Sequence, residues 1–234
     1  MSPEAQFDRH ADTYDADLNQ ALAASGEDRH YFAQGRVRWL AHCLTEDGFA
    51  ARSVVDYGCG VGDTSAHLRE LVGATSIVGL DLSPRSLELA RANCGSDECQ
   101  FFTFGEYLPS ATADLVYCNG VFHHIPVAER EAAVDYIYRC LRPGGRFALW
   151  ENNPWNPGTH WVMSHCVFDR DAVKIAPPEA RRLMSAAGFK ILSTTFLFLF
   201  PKVLKALRSL EPALSRLPLG AQYQVLCQKP GCKG

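Results

Sequence analysis

The sequence predicts an α/β fold: an open, doubly wound, mostly parallel sheet with helices on both faces. Short β-branched runs of five or six residues alternate with amphipathic stretches of about ten, the pattern of repeated βαβ units. Right-handed crossovers then place helices on both faces. The chain has 234 residues, 47% apolar and 21% charged, which fits one globular domain with additions. Its size allows a core large enough to need no disulfide or metal staple.

Each element follows in order. Residues 1–50 read as a helical N-terminal cover on the sheet, and 51–234 as the main domain. Ser53-Val54-Val55-Asp56-Tyr57 is a β-branched strand that ends at glycines. Residues 64–72 continue as a helix. A second strand, 76–81, closes at Asp81, where Ser83 caps the next helix and Pro84 enters its first turn. Strands follow at 99–104 and 113–118. A long amphipathic helix over 126–141 stops at Arg142-Pro143-Gly144-Gly145, and 146–150 forms the fifth strand. Residues 178–187 make another helix, ended by Gly188. Residues 189–200 and 222–228 are the last strands, able to pair antiparallel on one edge.

Composition excludes several classes. Net charge is −3, from 23 basic and 26 acidic residues, so nucleic acid is not an expected partner. Nine cysteines form no Cys-x-x-Cys pair, which removes zinc-ribbon and thioredoxin readings and predicts no metal site. They read as reduced thiols, mostly small core residues, in a cytoplasmic protein. The polar opening Met1-Ser2-Pro3-Glu4 carries no signal-peptide pattern.

Ligands of open parallel sheets sit beyond the carboxyl ends of the strands. There the chain reads Asp56-Tyr57-Gly58-Cys59-Gly60-Val61-Gly62-Asp63. Glycines in such a turn permit positive φ and let a ligand lie on bare backbone. A dinucleotide fingerprint needs a third glycine where Asp63 stands, and no Walker lysine follows. A carboxylate at that helix start repels a pyrophosphate, so the turn favours a ligand bearing a cation. Asp81, 25 residues after Asp56, can accept two hydrogen bonds from vicinal ribose hydroxyls.

With these residues in place, the sequence resembles the class I S-adenosylmethionine-dependent methyltransferases, of the small-molecule type. The run 54–63 looks like the family's first motif and Gly79-Leu80-Asp81-Leu82-Ser83 like its second. Residues 114–125 and 141–145 resemble its fourth-strand and pre-fifth-strand motifs. The resemblance covers about residues 50–230. It implies a Rossmann-like seven-stranded sheet with the last strand inserted antiparallel, and S-adenosylmethionine as cofactor. It also implies a cofactor site of Tyr14, Asp56, Gly58, Cys59, Gly60, Asp63, Asp81, Leu82, Phe104, Gly105, Glu106, Asn119 and His124. Gly58 and Gly60 would meet the methionine end, Asp81 the ribose, and Tyr14 would reach over from a lid. Relatives usually carry Asp-Ala-Glu-x-Leu-Pro after the third strand; Phe104 replaces that Asp here, so stacking would replace a hydrogen bond to adenine.

Candidate catalytic groups are His123, His124 and Glu151, at strand ends expected to face the pocket. A histidine is poised to take a proton near neutral pH, while a structural role as pocket wall or loop cap is the competing reading. Residues 151–170, with Trp155 and Trp161, read as a substrate-side loop. Residues 200–221 read as an insertion. Residues 196–219 carry four basic residues against one acidic, +3, with leucines at helical spacing. That composition fits an anionic membrane surface, a lid or a dimer contact. The expected function is methyl transfer to a small molecule, apolar or lipid-linked. A non-catalytic cofactor-binding module, or an enzyme acting on protein or RNA, stays as the alternative.

Overall fold

The computed structural model describes residues 25–165 and 172–231. Seven strands form one sheet in the order β3-β2-β1-β4-β5-β7-β6. They are β1 (Ser53–Tyr57), β2 (Ser76–Asp81), β3 (Cys99–Thr103), β4 (Ala113–Asn119), β5 (Leu141–Asn152), β6 (Lys190–Leu197) and β7 (Gln222–Gln228). β1 to β5 pair parallel, and β7 lies antiparallel between β5 and β6. The winding reverses between β1 and β4, which is where an open α/β sheet holds its ligand.

Helix α1 spans Arg29–Glu46, started by the Asp28 carboxylate, which accepts the Tyr31 N–H at 2.9 Å. α2 (Asp63–His67) runs on into a π-helical turn over Leu68–Val72. α3 (Pro84–Cys94) is capped by Ser83, whose hydroxyl accepts the Ser86 N–H at 3.0 Å. α4 (Arg130–Cys140), α5 (Pro157–His165), α6 (Pro177–Ala186) and α7 (Glu211–Leu214) follow. One face of the sheet packs Val134, Ile137, Ala180 and Met184 of α4 and α6 against Val55, Val116 and Phe147. The other packs Val37 and Leu40 of α1, Leu68, and Leu87 and Ala90 of α3 against Val54, Leu115 and Trp150.

Several elements differ from the sequence expectation. β5 begins at Leu141 instead of 146, because Leu141 pairs with Ala113 across a register shift, so the Pro-Gly-Gly turn lies inside the strand. β6 ends at Leu197 instead of 200. Phe198 takes φ +63, and the amides of Phe198, Leu199 and Phe200 turn to the carboxylate of Glu211, at 3.0–3.3 Å. The stretch expected as a basic amphipathic helix is a 3-10 helix over Lys202–Leu210, irregular at Leu204, followed by the short α7. Within 151–165, β5 and α5 replace most of the expected loop.

Candidate active site

The glycine turn after β1 is tied to β2, since Gly58 and Cys59 donate to the Leu80 carbonyl at 2.7 and 3.0 Å. Gly58 has φ +76, and a Cβ there would lie 2.3 Å from Val121. Gly60 also has positive φ, but a Cβ would meet nothing within 4 Å, so its bare backbone faces open space. Its N–H donates to Asp81 Oδ2 at 2.9 Å, while Asp81 Oδ1 accepts the Ser83 N–H. Beside this turn opens a cavity of ≈ 330 Å³. Asp56, Gly58, Cys59, Gly60, Asp63, Asp81, Leu82, Phe104, Asn119, His123 and His124 all line it.

Other expected positions are placed elsewhere. Gly105 and Glu106 do not line the cavity. The Glu106 carboxylate turns back to accept from the amide and hydroxyl of Thr103, at 2.8 and 2.9 Å, which lowers its pKa. Tyr14 lies outside the described residues. Glu151 stands behind the cavity wall, so the expectation that it faces the pocket is corrected.

Charge is concentrated near the turn. Asp56 is buried and its Oδ2 has no hydrogen-bond partner. Burial, and then the Asp81 carboxylate, push its pKa up to about 8. Arg29 grips Asp63 through its two terminal guanidinium nitrogens, with Nη2–Oδ1 at 3.0 Å. Burial also drives the Cys59 and Cys118 thiols well up, so both are neutral spacers.

The opposite wall holds a buried pair. Glu151 Oε1 accepts the Phe122 N–H at 2.8 Å, and Oε2 lies 2.6 Å from His123 Nδ1. His123 is 4% exposed and its backbone carbonyl accepts the Val173 N–H. The contact between Nδ1 and the carboxylate fixes the orientation of the ring, which lines the cavity. The His124 ring is tilted against it, centroids 4.1 Å apart. Among the described residues no group of three or more His, Cys, Asp or Glu could hold a metal ion.

Residues 54–145 match the family model described as a methyltransferase domain. A demethylmenaquinone methyltransferase of Deinococcus radiodurans is 32% identical over 70% of this chain and 66% of its own length. The chain carries a methyltransferase domain of the S-adenosylmethionine-dependent kind. A trans-aconitate 2-methyltransferase of Methylobacterium radiotolerans is 30% identical over 63% of this chain and 54% of its own. The chain thus spans between about half and two thirds of these curated relatives. A solved methyltransferase structure from Thermotoga maritima superposes with TM-score 0.66 at 20% identity, over 97% of this chain and 99% of that one.

The residues present fit the family's cofactor. An ammonium would satisfy the orphaned Asp56 oxygen, and the open space at Gly60 admits a ligand against backbone. The carboxylates of Asp56, Asp63 and Asp81 suit a ligand bearing a sulfonium and an ammonium.

Among the cavity residues that escape a reading of the sequence are Arg29, Arg36, Tyr117 and Gln222. A signal exists for two of them. Arg29 and Arg36 are seven apart, on the same α1 face as Phe32, Val37 and Leu40. A basic residue recurring within an apolar helix face is out of place unless it serves a cavity.

Proposed function

We propose that this methyltransferase moves a methyl group from S-adenosylmethionine to a small-molecule acceptor. One observation carries the reading: one cavity joins the glycine turn and its three carboxylates to His123, which Glu151 holds from behind the wall. The cofactor, when bound, supplies an electrophilic methyl on sulfur. Gly58, Gly60 and Asp81 hold its position, and Asp56 neutralises its ammonium. Phe104 offers a ring face where relatives carry an aspartate. Alignment of acceptor and methyl lowers the barrier most, by roughly 7–11 kcal/mol.

His123 takes the proton that the acceptor loses as its new bond to the methyl carbon forms and the sulfur–carbon bond breaks, leaving the thioether. Glu151 then stabilises the imidazolium and keeps the ring's orientation, acting as a positioning residue. Such a base contributes roughly 10²–10⁴ in rate. The relatives' names, for demethylmenaquinone and trans-aconitate, support an acceptor of metabolite size. The free thiols of the seven described cysteines support a reducing, cytoplasmic setting. We assign substrate selection to α1 and α5, whose Phe32 and Val162 line the cavity.

Titration calorimetry with S-adenosylhomocysteine tests the core of this reading. Micromolar binding, lost in Asp81→Ala, is expected; tight NAD binding without it would overturn the reading. Profiling a deletion strain for a missing methylated metabolite identifies the acceptor.

A further inference from the structure

The acceptor side of the cavity contains a built cation. Arg36 of α1 is 7% exposed and lines the cavity wall. Its Nε donates to the Tyr117 hydroxyl at 3.3 Å, and Nη1 donates to Gln222 Oε1 at 3.0 Å. Gln222 Nε2 in turn donates to Asn152 Oδ1 at 3.2 Å. These anchors fix the guanidinium in plane. Nη2 has no hydrogen-bond partner among the described residues and keeps accessible surface.

Such a group is costly unless something balances it. Among the described residues, every other guanidinium buried to this degree has an acidic partner: Arg130 has Glu179 and Arg146 has Asp47. Arg36 makes no ion pair among the described residues. The carboxylate that acts on it, Asp56, is held largely protonated near neutral pH. When a cofactor ammonium ionises Asp56, that ammonium also matches it; the cofactor's own carboxylate, on the same carbon as the ammonium, is then the competitor of an acceptor carboxylate for Arg36, and Arg36→Gln distinguishes the two.

Position separates this charge from the ribose site. Tyr117, Asn152 and Gln222 belong to β4, β5 and β7, while Asp81 ends β2. Two strand spacings separate β2 from β4, which carries Tyr117, and four separate it from β7, which carries Gln222, roughly 10 and 19 Å across the sheet. Phe32 and Val162 bring apolar surface to the same cavity.

We propose that Arg36, held by Tyr117 and Gln222, is a specificity residue that binds the carboxylate of a small organic acid serving as acceptor. The proposal rests on the methyl-transfer reading and names its substrate class. An apolar body lies against Phe32 and Val162 while the acid meets Nη2. A guanidinium suits this task because it stays charged and presents its donors in one plane.

The test uses trans-cinnamate and cinnamamide, alike in shape and different in charge. Their dissociation constants are measured by ligand-observed NMR, with and without saturating S-adenosylhomocysteine. The acid should bind wild type at least tenfold more tightly than the amide. Arg36→Gln should abolish that preference and change S-adenosylhomocysteine affinity less than threefold. In wild type, cinnamate should shift the Arg36 Nε–H resonance and leave that of Arg208 in place, a readout independent of any variant's folding. Equal binding of acid and amide would overturn the proposal. So would a larger loss of S-adenosylhomocysteine affinity in Arg36→Gln, which would give the guanidinium to the cofactor's own carboxylate. Failure of wild type to bind S-adenosylhomocysteine would sink methyl transfer alone, since the acid and amide are also compared on the free protein.

Discussion

Asp56 shows how one side chain can link binding to protons. Unfolded, it ionises near 3.8; folded, only near 8. Between those values the native state holds the extra proton, so this group lowers stability as pH rises. Asp56→Asn should flatten the fall in melting temperature between pH 5 and 8 in the ligand-free protein. Each kcal/mol recovered corresponds to roughly 2–4 °C. A cofactor cation beside Asp56 favours its ionised form. Binding of S-adenosylhomocysteine at pH 7 should therefore release a proton, visible in calorimetry as a dependence on buffer ionisation enthalpy. The same variant should weaken that binding roughly 10- to 100-fold, the worth of a charge-assisted hydrogen bond. At the other wall, His123→Ala should lower kcat by roughly 10²-fold or more if the acceptor needs a base. Glu151→Gln should lower kcat less and move the pH profile, because it acts through His123.

The elements show where sequence pattern stops being sufficient. The glycine turn, Asp81 and the capped start of α3 are local features, and each lies where its own residues put it. The end of β6 is different. Nothing within 189–200 announces a stop, because the acceptor of those three amides is Glu211, more than ten residues downstream. Glu211→Ala should leave these amides unpaired and lower the melting temperature, by roughly 1–3 kcal/mol in stability. Arg36 is equally hidden, since its partner Gln222 lies 186 residues away. Glu151 reads as a pocket residue because it ends a strand beside the site. Only the side-chain geometry shows its oxygens occupied by Phe122 and His123.

Across the whole molecule, one apolar surface stands out. Val203 is 88% exposed, and Leu204, Leu207, Leu210, Leu217 and Leu219 are each at least 40% exposed. Lys202, Lys205 and Arg216 accompany them at the surface, while Arg208 is drawn to Glu27. Among the described residues no helix is long and apolar enough to cross a bilayer. This surface can therefore only lie against one. If it does, the protein should float with vesicles containing anionic lipid and stay behind with neutral ones. A double change of Val203 and Leu207 to serine should then reduce flotation with S-adenosylhomocysteine affinity intact. A wild-type protein that stays in solution with both kinds of vesicle would leave this face to a lid or a second copy.

The insertion of β7 between β5 and β6 also sets a timetable for the nascent chain. β5 is complete at Asn152, but its neighbour on that side begins at Gln222. At ribosomal speed those intervening residues take roughly 4–14 s to make. Through that interval the inner strand of the finished protein is an open edge, with Phe147, Ala148, Leu149 and Trp150 in its pairing stretch. A chain released before residue 222 would keep that edge permanently and pair it with another molecule's, so premature termination here should yield aggregates instead of a smaller soluble protein.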